Sequence, residues 1–287
     1  MIAVFEHELK NYFHTLTAYI FGAFLLLFIG IGSMLYNLQA AVSNFEFVLS
    51  FSSVVFVVIV PILTMRVIAE ERKQKTDQLL YSLPVSTLQV ILGKFLALLV
   101  VYVIPLSIVS VYPLIFSNYG EVYLKTAYGS IIAFFVLGAA LIALGVFISS
   151  TTENQGFAAG IGIAVILLNY FSVRLSEYVS ATAFGSIVAL AVIAVLLGVL
   201  VWHLTKNTTL GYVITIVLYI ILIAASYIDS SVFEGFLPKI MKQLSLFERF
   251  DVFVNGMFDI TGIFYYLSVI VFFLFLSVQS LEKRRYN

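Results

Sequence analysis

The sequence contains no cysteine, only three histidines and five prolines, and one residue in ten is charged. Without cysteine there are no disulfides and no thiolate metal ligands. His7, His14 and His203 lie far apart in the chain, so no metal site is expected. The phosphate-loop pattern G-x-x-x-x-G-K-[ST] is absent as well, so any nucleotide must be handled by another polypeptide. The long apolar runs lack a Ser with a His, an Asp pair or a metal-ligand set, which leaves an intramembrane hydrolase without its chemistry. They also lack the ionisable side chains that mark proton relays. A formal charge of zero gives no pull toward nucleic acid.

What remains is a greasy chain, with 62% apolar residues and a mean hydropathy of +1.10, outside the usage of soluble globular proteins. A helix crosses the hydrocarbon layer with about 20 mostly apolar residues, its backbone polar groups satisfied within the segment. Eight stretches meet that length: Thr17–Tyr36, Phe47–Met65, Val90–Tyr112, Thr126–Ile148, Gly156–Val173, Ala181–Leu204, Leu210–Ile228 and Gly262–Leu281; eight spans are expected, and reading the short fifth stretch as half of a broken pair with the sixth gives six or seven. The expected fold is therefore all-α, a single polytopic transmembrane helix bundle over residues 1–287. Lys94, near the start of the third stretch, is expected to snorkel to the interface.

Residues 1–14 carry Ile2, Phe5, Leu9, Tyr12 and Phe13 at helical spacing, with Glu6, Glu8 and Lys10 at the other positions. That pattern predicts an interfacial helix, and the acidic residues argue against a cleaved signal peptide. Placing both termini in the cytoplasm puts about twice as many Lys and Arg residues inside as outside, the bias that sets orientation. The expected topology is N-in/C-in.

On this topology the segment "EERKQKTDQLLYSLP" (70–84) is cytoplasmic, and its first eight residues include six charges. Glu71 with Lys75 and Glu70 with Lys73 have helix-supporting spacings, and Ile68, Leu79, Leu80 and Leu83 fall near one face. Pro84 ends that helix. Ser86 and Gln89 form a capping box that starts the next one, with Val85 and Val90 as its hydrophobic staple. A capped corner with a Leu-Leu knob suits insertion into a partner's groove better than a plain connection. The predicted cytoplasmic helix spans 67–86.

Gly156 and Gly160, followed by Gly162, make a small-xxx-small pattern that permits a close helix contact, here a candidate dimer contact. Pro61 and Pro105 are candidate kinks in the two helices that flank the charged loop. Residues 229–261 form an external amphipathic segment in which Ile240, Leu244 and Phe247 are candidate gate residues, with Pro238 marking the helix start. Asn255-Gly256 marks a turn, and Asp259 or Thr261 caps the last span. The aromatic richness, 16% of the chain, fits interfacial belts and a pathway for amphiphilic cargo.

The run "TMRVIAEERKQKTDQLLYSLPVSTLQVILGKFLA" (64–97) resembles the coupling-helix region of ABC-2-type exporter permeases, matching at Glu71, Arg72, Thr76, Leu79, Leu80, Pro84, Gly93 and Lys94. Lys75 stands where that family usually has Gly, and Gln78 where an acidic residue is common. The stretches 8–21 and 249–285 are similar to the gliding-motility-associated branch of the family. The resemblance implies a six-helix core with an added pair, formed by the sixth and seventh stretches, in a prokaryotic cytoplasmic membrane. It implies a permease subunit, not an enzyme, that couples ATP hydrolysis by a separate ATPase dimer to export. A second permease copy, alike or different, completes the complex, with room for an accessory extracytoplasmic protein. No cofactor is expected in this chain, since ATP and Mg belong to the partner. The coupling residues implied are Glu70, Glu71, Arg72, Thr76, Leu79, Leu80 and Pro84. The alternative is a non-transporting interaction or sensory subunit that recruits an ATPase through the same loop.

Overall fold

The computed structural model describes residues 1–76, 85–179, 181–205, 207–228 and 230–285, and among them the regular structure is entirely helical. The chain forms two compact units, Met1–Tyr170 with Leu246–Asn287, and Phe171–Ser245.

In the first unit, α1 (Ile2–His14) leads into α2 (Thr17–Ser33), which runs on through a π-helical turn at Met34–Gln39. Next come α3 (Phe45–Ser53), α4 (Phe56–Thr64) and the short α5 (Ala69–Gln74). Helices α6 (Thr87–Val109), α7 (Tyr112–Ser117), α8 (Leu124–Thr151) and α9 (Gln155–Tyr178) follow. After the second unit the chain returns as α13 (Leu246–Val254) and α14 (Ile260–Arg285).

Among the described residues six helices are long and apolar enough to cross a membrane, or seven if the bent pair α3–α4 counts as one span. The stretch expected to be the sixth span is helical as α10 (Ala183–Thr205), with a shorter apolar part at Ala183–Val199.

Helix α8 is the axis of the first unit, packed by α3, α4, α6, α13 and α14. Its sequence permits this because it is apolar on every face and carries small residues where neighbours come closest. A Cβ on Gly145 would run into the Thr64 side chain of α4, and one on Gly138 would strike the Tyr102 ring of α6. The Tyr102 hydroxyl donates to the Phe134 carbonyl (2.7 Å), and its ring lies against Phe21, Phe56 and Phe135. These contacts join α2, α4, α6 and α8 at mid-height.

The kink expected at Pro61 falls instead at Val54–Val55, where α3 and α4 meet at 59°. The Ser52 and Ser53 hydroxyls bond back to the carbonyls of Val48 and Ser50, competing with the backbone ladder. The next amides then take i−3 partners: Val55 bonds Ser52 and Val57 bonds Val54. Pro61 packs instead against Gly162 of α9, where a Cβ in place of the glycine hydrogen would sit 3.0 Å from the proline Cβ. Pro105 lies within α6 without breaking it.

Where α13 meets the bundle, Phe250 contacts Phe134, the Ser130 hydroxyl donates to the Phe253 carbonyl (3.1 Å) and the Tyr266 hydroxyl donates to the Leu246 carbonyl (2.6 Å). The α13–α14 connection turns at Gly256 (φ +81°), and Asp259 accepts the Thr261 amide (2.9 Å), as the sequence predicts.

In the second unit α10 and α11 (Thr208–Ile228) form a hairpin, with Asn207 capping α11 through the Thr209 and Leu210 amides. Gly198 and Gly211 meet at the crossing, where a Cβ on Gly211 would lie 2.8 Å from the Gly198 carbonyl oxygen. After a 3-10 turn, α12 (Phe236–Leu244) starts at Phe236, two residues ahead of the proline expected to open it. Ser245 is extended and ends α12, so Ile240 and Leu244 sit in one helix and Phe247 in the next.

Gly145→Val should destabilise the bundle by about 1–3 kcal/mol or more, the cost of overpacking a filled core. The check is thermal stability of the detergent-purified protein, with Gly30→Ala, where a Cβ meets nothing within 4 Å, staying near wild type.

Candidate functional site

The end of the first unit that carries α1 and α5 holds the densest buried polar chemistry among the described residues. Gly93 of α6 is where α1 crosses: a Cβ there would press on Val4 (3.1 Å) and the Met1 carbonyl (3.2 Å). The next residue, Lys94, is 1% exposed, and its ammonium donates to Glu8 Oε1 (2.6 Å), Glu71 Oε1 (2.7 Å) and the Val67 carbonyl (3.0 Å). An ammonium has three donors, so all are used. One cation thereby joins α1, the α4–α5 connection, α5 and α6.

Lys94 thus does not snorkel. Glu8, expected among the outward residues of α1, turns inward, 7% exposed. Burial first, and then the Glu8 and Glu71 carboxylates, push the Tyr12 phenol well above its usual value and keep it neutral.

A second polar tie lies beside the first. The Ser149 hydroxyl, near the end of α8, accepts the Ile68 and Ala69 amides (both 3.1 Å) and donates to the Met65 carbonyl (3.2 Å). It takes up the orphan amides of the α5 first turn from about 80 residues away in sequence. Arg66 donates to both Glu70 oxygens (3.0 and 3.2 Å).

Helix α5 ends sooner than the sequence predicts. Lys75 adopts the left-handed conformation (φ +58°), its amide bonding the Arg72 carbonyl (3.2 Å) while the Thr76 amide bonds that of Glu71 (3.0 Å). This paired closure is the Schellman C-cap, which glycine usually fills. A lysine with a left-handed backbone therefore stands where this cap favours glycine. The expected in-helix pairs Glu71–Lys75 and Glu70–Lys73 give way to Glu71–Lys94 and Glu70–Arg66.

Of the seven predicted coupling residues, Glu70, Glu71 and Arg72 lie in α5 and Thr76 follows its C-cap residue Lys75. Arg72 is buried. Leu79, Leu80 and Pro84 lie outside the described residues. The capping box is present, with the Ser86 hydroxyl accepting the Gln89 amide and the Gln89 side chain accepting the Ser86 amide (both 3.3 Å). Gly156 and Gly160 are exposed, and a Cβ on Gly160 would meet nothing within 4 Å.

Glu8, Val67 and Ser149 escaped the sequence reading. Glu8 had a detectable signal, since it lies one turn before Tyr12 and three residues after Phe5, on the apolar side of α1. Ser149 had none. Among the described residues no group of His, Cys, Asp and Glu is arranged to hold a metal ion.

A bundle of apolar helices, six of them long enough to cross a bilayer among the described residues, is the build of a multi-pass membrane protein. A family model described as "ABC-2 family transporter protein" matches residues 4–176, from α1 into α9. The chain belongs to that family, whose membrane proteins generally work with an ATPase subunit. No curated protein matches the sequence.

Lys94→Met should cost about 3–5 kcal/mol, because a buried carboxylate, Glu8, and a half-buried one, Glu71, lose their counter-charge. Adding Glu8→Gln and Glu71→Gln should recover most of that loss, which unfolding in detergent would show as strong non-additivity. Lys75→Gly should raise stability by about 1 kcal/mol, the cost of a side chain in the left-handed region.

Proposed function

We propose that this chain is the permease subunit of an ATP-binding-cassette exporter, with eight spans and both termini in the cytoplasm of a prokaryote. The carrying observation is the Lys94 node, which fixes both ends of the charged loop, at Glu71 before it and at α6 after it, to one buried atom. Force applied to residues 77–84 by an ATPase then reaches α1, α4 and α6 together instead of bending a free loop. The similarity of residues 8–21 and 249–285 to gliding-motility-associated permeases supports that branch.

In this reading Leu79 and Leu80 enter a groove of the ATPase, and Pro84 with the Ser86 cap transmits its rotation into α6. Glu70, Glu71, Arg72 and Thr76 shape and hold the connector from behind. A second permease copy packs on the open Gly156–Gly160 face of α9, and α10–α11 is the pair added to the six-helix core. Ile240 and Leu244 of α12 and Phe247 of α13 are the residues assigned to an external gate. ATP and Mg are bound by the partner, and the chain itself is not an enzyme. The aromatic middle of the first unit suits amphiphilic cargo.

The test is co-purification with the ATPase subunit. Wild type should retain it, and Leu79→Asp/Leu80→Asp should insert normally and lose it by about tenfold or more, the effect of removing a buried apolar anchor. Equal retention would remove the loop from the coupling role. Cargo-stimulated ATPase activity of the wild-type complex separates export from mere recruitment.

A further inference from the structure

Two cavities of the first unit meet at Thr17, the first residue of α2. One is an apolar groove of about 220 Å³ between α2 and α4, floored by buried Phe21, Ile59 and Leu63 and rimmed by exposed Ile20, Phe24 and Val58. The other is a vestibule of about 60 Å³ where α1 approaches the α4–α5 connection, lined by Glu8, Asn11, Thr15, Arg66 and Glu70. Thr17 lines both.

The groove lies within the apolar length of α2 and the vestibule at its polar end, so the pair runs from hydrocarbon to headgroup depth. Its shape is that of one acyl chain with a small polar head. The vestibule's own charges are the Glu8 and Glu70 carboxylates and the Arg66 guanidinium. Counting Lys94, which bonds Glu8, and Glu71, which bonds Lys94, the sum stays one negative. An anionic head meets that excess charge, whereas a zwitterion can lie alongside the bonded Arg66–Glu70 pair with its phosphate toward Arg66 and its ammonium toward Glu70.

We propose that α2, α4 and the Arg66–Glu70 pair form a binding site for a zwitterionic phospholipid, for which phosphatidylethanolamine is the probe, in the leaflet facing α1 and α5. The bound head touches the residues immediately ahead of the charged connector. The site stands on the two cavities and their charges, and only the leaflet assignment rests on the proposed orientation.

The test uses the full chain in mild detergent, incubated with equal amounts of phosphatidylethanolamine and phosphatidylglycerol of matched acyl chains and read by native mass spectrometry. Wild type should hold one lipid per chain with phosphatidylethanolamine favoured about fivefold, a ratio that one modest charge contact supplies. Val58→Trp, at an exposed rim position, should fill the groove and remove that lipid. Arg66→Gln/Glu70→Gln should keep a lipid and lose the preference.

Equal retention of the two lipids by wild type, or undiminished binding by Val58→Trp, overturns the proposal. So does a Val58→Trp chain that turns from dimer to monomer with its lipid count unchanged, which would make the groove the seat of a second copy. None of these readouts involves an ATPase or cargo, so the permease reading stands or falls separately.

Discussion

A single ammonium group, shared by two carboxylates and a carbonyl, decides how one end of this protein is built. Burying a charge costs several kcal/mol and is tolerated only where the remaining hydrogen-bond capacity is met. Lys94 meets that condition with three acceptors from three chain segments, so each segment is positioned by the same requirement. Helix α1 is thereby held against α6, although its sequence alone is that of a loosely seated surface helix. The Gly93–Lys94 pair has a joint explanation: the glycine lets α1 close in, and the lysine takes its glutamate.

Around this node the packing is ordinary membrane-helix chemistry. Small residues on α8 admit Thr64 and Tyr102, and a tyrosine hydroxyl finds a carbonyl across the helix pair. No hydrophobic drive separates helix from lipid in a membrane, so shape and hydrogen bonds carry the association. The core of the first unit accordingly concentrates glycine and aromatic rings where α2, α4, α6 and α8 converge.

Most of the helices were legible in the sequence because length and hydropathy determine what can cross a bilayer, and local chemistry marks the corners. The Ser86–Gln89 box and the Asn255-Gly256 turn each rest on groups a few residues apart. The node was not legible, because its partners are 86 and 23 residues from Lys94 and periodicity treats every charge as surface. The bend at Val54–Val55 was missed for a related reason: proline is a conspicuous breaker, whereas two serines bonded to their own helix act only in three dimensions. The α5 stop at Lys75 was not legible, because lysine carries no helix-ending signal and its left-handed backbone is seen only in the structure.

Ser149 has a mechanical consequence. Its single oxygen accepts two amides of the α5 entry and donates to a carbonyl just before it, so three bonds converge on one atom. The entry of α5 is therefore pinned to the end of α8 at a point, as by a rivet, and not along a seam.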